Sequence, residues 1–272
     1  MMANRSRKRR SSSTTRALLV TALVVIGIIL LLVYLKRQSP TAAPEITGFN
    51  YLPSVHEGYI VSHQHYTLSY VEEHEQAEWV AYELTEAEVR SNVADRSDNF
   101  REDPFVITGS ATLNDYRRSG YDRGHMAPAG DMGFSEDAMS ESFYMSNMSP
   151  QDRAFNRGIW KNLEDDVRNW AVANDGIYVV TGPVFGNAPK KIGDNGVSVP
   201  DYYYKILLDY QQPEFKAIGF LIPNKSTSEP PRAFAESIDN IEAYTGVDFF
   251  PELPDAVEEK LESSINTEDW FK

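Results

Sequence analysis

An apolar stretch near the N-terminus divides this chain into two parts of different character. Residues 17–35, ALLVTALVVIGIILLLVYL, contain no charged side chain. As an α-helix these residues would rise about 28 Å, close to the thickness of a bilayer's hydrocarbon core. The apolar region of a cleaved signal peptide is shorter, roughly 7 to 15 residues, and the nearest small-residue pair, Ala42 and Ala43, runs into Pro44. We therefore expect one uncleaved transmembrane helix at 17–35.

The charges on either side of this stretch predict its orientation. Residues 1–37 contain no acidic side chain and eight basic ones, six before the stretch and two after it: Arg5, Arg7, Lys8, Arg9, Arg10, Arg16, Lys36 and Arg37. The positive-inside rule keeps a basic tail at 1–16 in the cytoplasm and exports the body, to the periplasm if the source is bacterial. A mitochondrial presequence, with the protein at the inner membrane, is the alternative, because residues 1–16 are rich in Arg and Ser. Against it, the basic cluster at 7–10 interleaves no apolar face.

The remainder of the chain is acidic. After a linker at 36–47, which contains Pro40 and Pro44, we expect residues 48–272 to form one domain. Residues 38–272 hold 18 basic and 40 acidic side chains, a net charge of −22. This charge counts against a broad basic groove, because attraction to phosphate normally supplies most non-specific affinity for nucleic acid. The absence of cysteine excludes disulfides, thiolate nucleophiles and Cys-ligated metal sites.

Strand-like and helix-like patterns alternate in the acidic part. Segments in which β-branched and aromatic residues alternate with polar ones predict strands at 59–73, 78–85, 177–185, 202–209 and 215–222. From about Pro150 to Asn174 the spacing predicts one long helix, whose apolar face holds Ile159, Trp160, Leu163, Val167 and Trp170. A second helix is expected near 232–244, followed by an acidic tail segment at 254–264. Together these elements indicate an α+β domain.

Two polar tracts in the middle of the chain contain the residues best suited to catalysis. The first, YDRGHMAPAGDM, begins at Tyr121 and contains the tetrapeptide Asp122–His125. The second, NMSPQDRAFNRGIWKNLEDD, begins at Asn147 and includes Asn156 and Glu164. Together the tracts resemble the DNA/RNA non-specific endonuclease family, which includes mitochondrial endonuclease G and secreted bacterial nucleases. The resemblance covers roughly residues 48–250. It implies a ββα-metal (His-Me finger) nuclease fold, with a central antiparallel sheet flanked by helices.

The chemistry of phosphodiester cleavage agrees with the residues of these tracts. Attack by water needs a base that is effective near neutral pH, and histidine suits this role. Of the five histidines, only His125 lies in a Gly-containing segment flanked by a cation and an acid. We therefore expect His125 to be the general base. Arg123 is expected to clamp the scissile phosphate, with an ion pair to Asp122 as its structural alternative. Gly124 is expected to permit a close backbone approach or an unusual turn.

The resemblance also implies a metal site. Family members bind the metal directly through the asparagine matching Asn156 and use the glutamate matching Glu164 through coordinated water. At 3.6 residues per turn these two residues would lie about 80° apart on one helix, so both could lean toward one site. Such sparse ligation suits Mg²⁺, with Mn²⁺ as a substitute. Asn147 is carried over as a site-shaping catalytic residue, and Arg96 and Arg168 as phosphate contacts.

Other prominent residues receive structural interpretations. His63 and His65 alternate like a metal pair, but without a nearby third ligand we expect a solvated strand face. The three tyrosines at 202–204 could stack on bases, although alternation in a strand explains them equally well. The methionines of the central region are expected to pack in the core: Met126, Met132, Met139, Met145 and Met148.

Three functions are consistent with these features. The first is a membrane-anchored, metal-dependent endonuclease that hydrolyses DNA and RNA outside the cytoplasm. The second is a catalytically idle nucleic-acid-binding or scaffolding module on the same fold. The third is a phosphodiesterase acting on another charged ester, for which an acidic surface is less awkward. The intact set of His125, Asn156 and Glu164 favours the first. The expected partners are DNA, RNA and the membrane, and a homodimer is left open.

Overall fold

The computed structural model describes residues 21, 23–29, 31, 50–211 and 215–271. The chain divides into two compact units, Met1–Glu45 and Ile46–Lys272. Residues 21, 23–29 and 31 are helical, whereas the rest of the predicted span at 17–35, the tail at 1–16 and the linker at 36–47 lie outside the described residues. No helix within the described residues is both long enough and apolar enough to cross a membrane.

A large antiparallel sheet forms the centre of the second unit. The strands in the described part of the chain are β1 (Tyr59–Ser62), β2 (Thr67–Val71), β3 (Gln76–Thr85), β4 (Asp122–His125), β5 (Met148–Gln151), β6 (Gly176–Val184), β7 (Lys191–Ile192), β8 (Val197–Ser198), β9 (Tyr202–Asp209), β10 (Lys216–Pro223) and β11 (Ala235–Glu236). Seven of these strands pair in the order β1-β2-β3-β6-β9-β10-β11, and two short pairs, β4-β5 and β7-β8, are separate from this sheet. The predicted strand regions are confirmed, with 59–73 split into β1 and β2.

Helices cover both faces of this sheet, which confirms the α+β class. They are α1 (Glu86–Arg90), α2 (Leu113–Tyr116), α3 (Glu136–Glu141), α4 (Arg153–Phe155), α5 (Lys161–Ala173), α6 (Ile238–Thr245) and α7 (Asp255–Glu262). The helix predicted near 232–244 is α6, preceded by a 3-10 turn at Pro231–Phe234, and the acidic tail segment contains α7.

The alternation of residues along β9 explains why there are two cores. Successive side chains of a strand point to opposite faces of the sheet. Tyr203 and Leu207 are buried in the core that contains Trp160 and the apolar residues of α5. Tyr204 and Ile206 are buried in the second core, with residues of α6 and α7. Strand β9 is therefore buried on both sides, and each side holds one layer of helices.

The predicted long helix is interrupted near its start. Pro150 belongs to strand β5, and helical structure begins only at Arg153. Between α4 and α5 the segment Asn156–Trp160 forms a wider π-helical turn, with Gly158 at φ −111° and ψ −110°. The prediction of a single helix from Pro150 was therefore wrong. Its apolar face was predicted correctly, since Ile159, Trp160, Leu163, Val167 and Trp170 are all buried.

The two short strands and the helix after them form the ββα unit that the resemblance implies. In the β4–β5 pair Asp122 lies opposite Gln151, and His125 lies opposite Met148. Gly124 is required here because a Cβ at this position would lie 2.0 Å from Cδ of the buried Gln151. The expected close approach at Gly124 is thus confirmed, and the partner is a side chain of the neighbouring strand.

Two structural interpretations of single residues have different outcomes. The five central methionines are buried, as predicted. The solvated strand face predicted for His63 and His65 is wrong. The His63 ring is fully buried with Nε2 3.0 Å from Asp103, and His65 Nδ1 lies 2.8 Å from Glu141. Both histidines follow β1 and pair with carboxylates that are distant in sequence.

Candidate active site

His125 lies at the end of β4 in an apolar pocket. Only 9% of the residue is exposed, and its ring makes an edge contact with Phe143 at a centroid distance of 4.9 Å. Its Nε2 is buried and has no hydrogen-bond partner among the described residues. Burial, together with the positive charges of Arg96 and Arg123, lowers the pKa of His125 from 6.5 to about 3. The imidazole is therefore neutral at physiological pH, as a general base must be.

Asn147 fixes the backbone that follows His125. Its Oδ1 accepts from the Ala127 amide at 2.9 Å, and its Nδ2 donates to the carbonyl oxygens of Ala127 and Ser142. The Met126 amide also donates to the Asn147 carbonyl, at 3.0 Å. The side chain is completely buried. Asn147 is thus a positioning residue that holds the segment following His125. The catalytic role predicted for Asn147 is therefore an indirect one.

Asp122, at the start of β4, organises the first turn of the following helix. Its carboxylate accepts from Arg157 Nε at 2.8 Å and Nη2 at 3.1 Å, and Arg153 Nε lies 3.5 Å away. The same carboxylate accepts from Nδ2 of Asn156 at 3.2 Å. Asp122 therefore ties the strand to the helix and orients the Asn156 amide. This arrangement agrees with the supporting role expected of it.

Asp122 lines an open cavity of about 410 Å³, and His125 lies behind this lining, with its ring centroid 5.8 Å from that of the lining residue Phe100. Four arginines line it, and the described lining also includes two carboxylates and three aromatic rings: Arg96, Asp98, Phe100, Tyr116, Tyr121, Asp122, Arg123, Arg153, Asn156 and Arg157. Four cations against two anions leave this cavity positively charged within a strongly acidic domain. A local patch of this kind can bind a phosphate although the net charge of the domain is strongly negative.

Two of the three arginines predicted from sequence to contact phosphate are held by aromatic rings. The Arg123 guanidinium lies 4.2 Å from the ring centroid of Phe100, and the Arg96 guanidinium lies 4.9 Å from that of Phe143. Arg96 also donates to Asp98 at 2.7 Å. Within the described residues the ion-pair partners of Asp122 are Arg153 and Arg157, so the alternative of an Arg123–Asp122 pair does not occur. Arg123 is therefore free to bind a phosphate.

Glu164 and Arg168 belong to a second polar cluster, whose residues are not part of the cavity lining. Arg168 Nη1 donates to Asp131 at 2.7 Å, and its Nη2 donates to Asp165. The charge of Glu164 acts on Arg168 and on the buried Lys205, whose ammonium lies 5.0 Å from the Trp160 ring centroid. Burial raises the pKa of Glu164 and lowers that of Lys205. Neither Glu164 nor Arg168 lines the cavity, so the phosphate contact of Arg168 stays a prediction.

The break between α4 and α5 also changes the geometric argument for Asn156 and Glu164. An angle of about 80° assumes an unbroken α-helix, but the π-helical turn begins at Asn156. Asn156 is placed instead by its bond to Asp122 and lines the cavity. Glu164 lies in the first turn of α5. Of the two residues predicted to hold the metal, Asn156 lines the cavity and Glu164 does not.

The chemistry of these groups fits a divalent cation. Nδ2 of Asn156 is engaged by Asp122, which leaves Oδ1 as the amide atom without a hydrogen-bond partner among the described residues. Glu164 likewise has no hydrogen-bond partner in the described part of the chain, and the charges of Lys205, Asp131 and Arg168 act on its carboxylate. One neutral oxygen ligand with a carboxylate acting through water is a donor set that Mg²⁺ accepts, because this ion retains several waters.

Arg153 and Arg157 were not predicted from sequence as components of the site. Their i, i+4 spacing was visible, but both interact with Asp122, about 30 residues earlier, through the β4–β5 pairing. Lys205 was not predicted as a functional residue either; it is completely buried in the middle of a strand and donates to Thr181 at 2.5 Å. A lysine in an otherwise apolar strand was the available signal, since lysine is rarely buried without a partner.

Comparison with known proteins identifies the family. The family model for DNA/RNA non-specific endonucleases matches residues 50–256. The chain belongs to the DNA/RNA non-specific endonuclease family. Nuclease C1 of Cunninghamella echinulata var. echinulata is 37% identical over 206 residues, covering 69% of this chain and 81% of that protein. Mitochondrial endonuclease G of Homo sapiens is 34% identical over 206 residues, covering 71% and 69%.

Structural comparison supports the same assignment. A solved structure of EndoG in complex with EndoGI matches with a TM-score of 0.69 and 32% sequence identity, covering 75% of this chain and 89% of that chain. This DNA/RNA non-specific endonuclease is therefore a hydrolase of phosphodiester bonds by family. The region that matches the family model includes the ββα unit and the residues of the cavity, because both lie within residues 50–256.

Proposed function

We propose that this endonuclease hydrolyses both DNA and RNA, with Mg²⁺ as its metal and Mn²⁺ as a substitute. The observation that carries the proposal is the arginine-lined cavity next to a neutral, buried histidine. The cavity provides positive charge for a phosphate, and the histidine provides a base for water. A nucleic-acid-binding module without catalytic activity would not require a neutral imidazole next to the phosphate-binding cavity.

Each residue of the site has a separate role in the proposed reaction. Arg123 and Arg96 orient the scissile phosphate with planar, bidentate donors. Nε2 of His125, which has no hydrogen-bond partner among the described residues, takes a proton from the attacking water. A bound divalent cation, held by Oδ1 of Asn156, would supply positive charge to the phosphate and to the departing oxygen. Asn147 keeps the segment after His125 in place throughout.

The composition of the cavity supports tolerance of both sugars and of any base sequence. Contacts to phosphate fix the position of a nucleic acid but carry no sequence information. Arg153 and Arg157 extend the cationic lining beyond Arg123, and we propose that they contact phosphates flanking the scissile one. DNA and RNA present these phosphates alike. A site that recognises mainly phosphate is therefore expected to accept either polymer.

A direct assay tests the proposal. The full chain, purified with mild detergent, is incubated with supercoiled plasmid and separately with RNA, in Mg²⁺, in Mn²⁺ or in EDTA. Cleavage of both polymers is expected in either metal, and cleavage of neither is expected in EDTA.

His125→Ala should lower turnover by roughly 100-fold or more, the usual contribution of a general base. Cleavage that persists in EDTA, or a His125→Ala rate equal to that of the wild type, would refute the mechanism.

We further propose that residues 17–35 anchor the enzyme in a membrane with the nuclease domain outside the cytoplasm. The proposal rests on the uncharged stretch and on the excess of basic residues before it. Protease added outside spheroplasts should degrade the domain and leave the tail at 1–16 protected. A protected domain with an accessible tail would reverse the orientation, and a mitochondrial location would appear as import of the chain into isolated mitochondria.

A further inference from the structure

Two helices on the face of the sheet opposite α5 direct carboxylates toward one another. On α6, Asp239 and Glu242 are three residues apart, and on α7, Glu258 and Glu262 are four apart, so each pair shares one side of its helix. The helices are held by a common apolar core that contains Ile238, Ile241 and Leu261. Their positions are therefore fixed by packing, and the acidic side chains between them cannot separate freely.

Glu262 is the unusual member of this group. It is only 5% exposed, and its Oε1 is buried without a hydrogen-bond partner among the described residues. Burial raises the pKa of Glu262 to about 9, and the neighbouring charges with the largest effect on it are negative: Glu242, Glu258, Asp239 and Asp248. A buried carboxylate without a cation or a donor is costly, so the arrangement needs either a proton or a metal ion.

We propose that Asp239, Glu242 and Glu262 form a binding site for Ca²⁺. One oxygen from each of the three lies within 4.8 Å of the others. Oxygens that share one Ca²⁺ at about 2.4 Å can be at most about 4.8 Å apart, so this spacing allows a common ion. The other oxygens of the coordination shell would be water, because Asp239 is exposed to solvent. The ion would supply a positive charge that compensates the buried carboxylate of Glu262.

The geometry favours Ca²⁺ over Mg²⁺. Glu242 Oε1 already accepts from the Phe249 amide at 2.8 Å, which restricts how its carboxylate can turn. Three carboxylates from two packed helices give an irregular set of ligands, which Ca²⁺ tolerates, whereas Mg²⁺ demands a near-octahedral one. The site shares no residue with the arginine-lined cavity. It would therefore stabilise the domain and not take part in the reaction.

Thermal melts of the full chain test the proposal. Protein stripped with EDTA and transferred to metal-free buffer is melted with increasing CaCl₂ or MgCl₂, for the wild type and for Glu262→Gln, Asp239→Asn and Glu259→Gln. Glu259 is the matched control, because it lies on α7 and is exposed. We expect CaCl₂ to raise the melting temperature of the wild type and of Glu259→Gln at lower concentration than MgCl₂. Glu262→Gln and Asp239→Asn should weaken Ca²⁺ binding at least ~10-fold.

A further variant, Asn156→Ala, distinguishes this site from the proposed catalytic metal site. It removes the proposed catalytic metal ligand in the arginine-lined cavity and leaves the three carboxylates intact, so it should retain the Ca²⁺-dependent rise in melting temperature. An equal rise in the wild type and in both Glu262→Gln and Asp239→Asn would overturn the proposal, as would the absence of a rise up to millimolar CaCl₂. In the latter case Glu262 is protonated instead. If Glu262→Gln fails to fold, the exposed Asp239→Asn still decides between these outcomes.

Discussion

The burial of His125 affects stability as well as catalysis. Its pKa is about 3 in the folded protein, compared with 6.5 for the unperturbed residue, so below pH 6.5 the unfolded chain binds a proton that the folded protein does not. The stability associated with this group is complete above pH 6.5 and is lost as the pH falls toward 3. Between pH 8 and pH 5 the wild type should lose about 2 kcal/mol more unfolding free energy than His125→Gln. Urea unfolding of both proteins at the two pH values measures the difference, and parallel losses would show that the imidazole is accessible to protons when folded.

Asn156 and Glu164 can be separated experimentally because the structure places them in different surroundings. Asn156 lines the cavity and is oriented by Asp122, whereas Glu164 lies beside Lys205 and Arg168. Asn156→Ala should therefore weaken Mg²⁺ affinity and turnover more than Glu164→Gln, with the rate partly restored at high Mg²⁺. Calorimetric titration of Mg²⁺ together with thermal melts gives affinity and stability separately. Native Mg²⁺ affinity and turnover in Asn156→Ala would remove this residue from the metal site.

Single residues were predictable from sequence where their role is local or belongs to the tracts that resemble the family. Gly124, Asn156 and Arg123 were assigned in this way, and the structure places all three at the site. His63 was misjudged because its partner, Asp103, lies 40 residues later and is brought to it only by folding. Ion pairs between distant segments leave no periodic trace in a sequence.

At the level of elements, the β4–β5 contact is the most demanding part of the site. A Cβ at position 124 would lie 2.0 to 2.4 Å from three side-chain atoms of Gln151, which is itself completely buried. Gly124→Ala should therefore cost about 1 to 3 kcal/mol of unfolding free energy, the usual range for overpacking. The double variant Gly124→Ala with Gln151→Ala removes the clash and should recover much of this loss. Additive effects of the two changes in urea unfolding would mean that the strands separate to accept the methyl group.

Elements with a regular pattern were predicted well, and irregular ones were not. The strand predicted at 202–209 matches β9, because every residue of it is aromatic or aliphatic apart from Lys205 and the terminal Asp209. The helix predicted from Pro150 was interrupted by a five-residue π-helical turn that apolar spacing does not reveal, since Ile159 and Trp160 are buried on either interpretation. This turn lies between Asn156 and Glu164 and breaks the regular helical angle between them. The local geometry of the proposed metal site therefore could not be obtained from helical periodicity.

For the whole molecule, the main question is how an acidic nuclease binds a polyanion. The part of the chain after residue 37 carries a net charge of −22, yet the cavity lining holds four arginines and two aspartates. These charges act over different distances. The cavity acts on a bound phosphate by direct contact, whereas the rest of the surface acts on an approaching strand through solvent, where salt screens it. The two contributions should therefore respond oppositely to ionic strength.

This difference predicts a salt optimum for cleavage. At about 10 mM salt the Debye length is about 30 Å, so the acidic surface repels DNA, whereas at about 100 mM it falls to about 10 Å and the repulsion weakens. At higher salt, counterions compete with the arginines, and each phosphate contact contributes about 0.9 to the logarithmic slope. We expect kcat/KM for a short duplex, measured from 10 to 500 mM KCl at constant free Mg²⁺, to rise to a maximum near 100 mM and then fall. Arg153→Gln should lower the slope of the falling limb by about one. If kcat/KM falls continuously from the lowest salt concentration, the acidic surface does not oppose binding, and the arginine cavity alone controls the approach of the substrate.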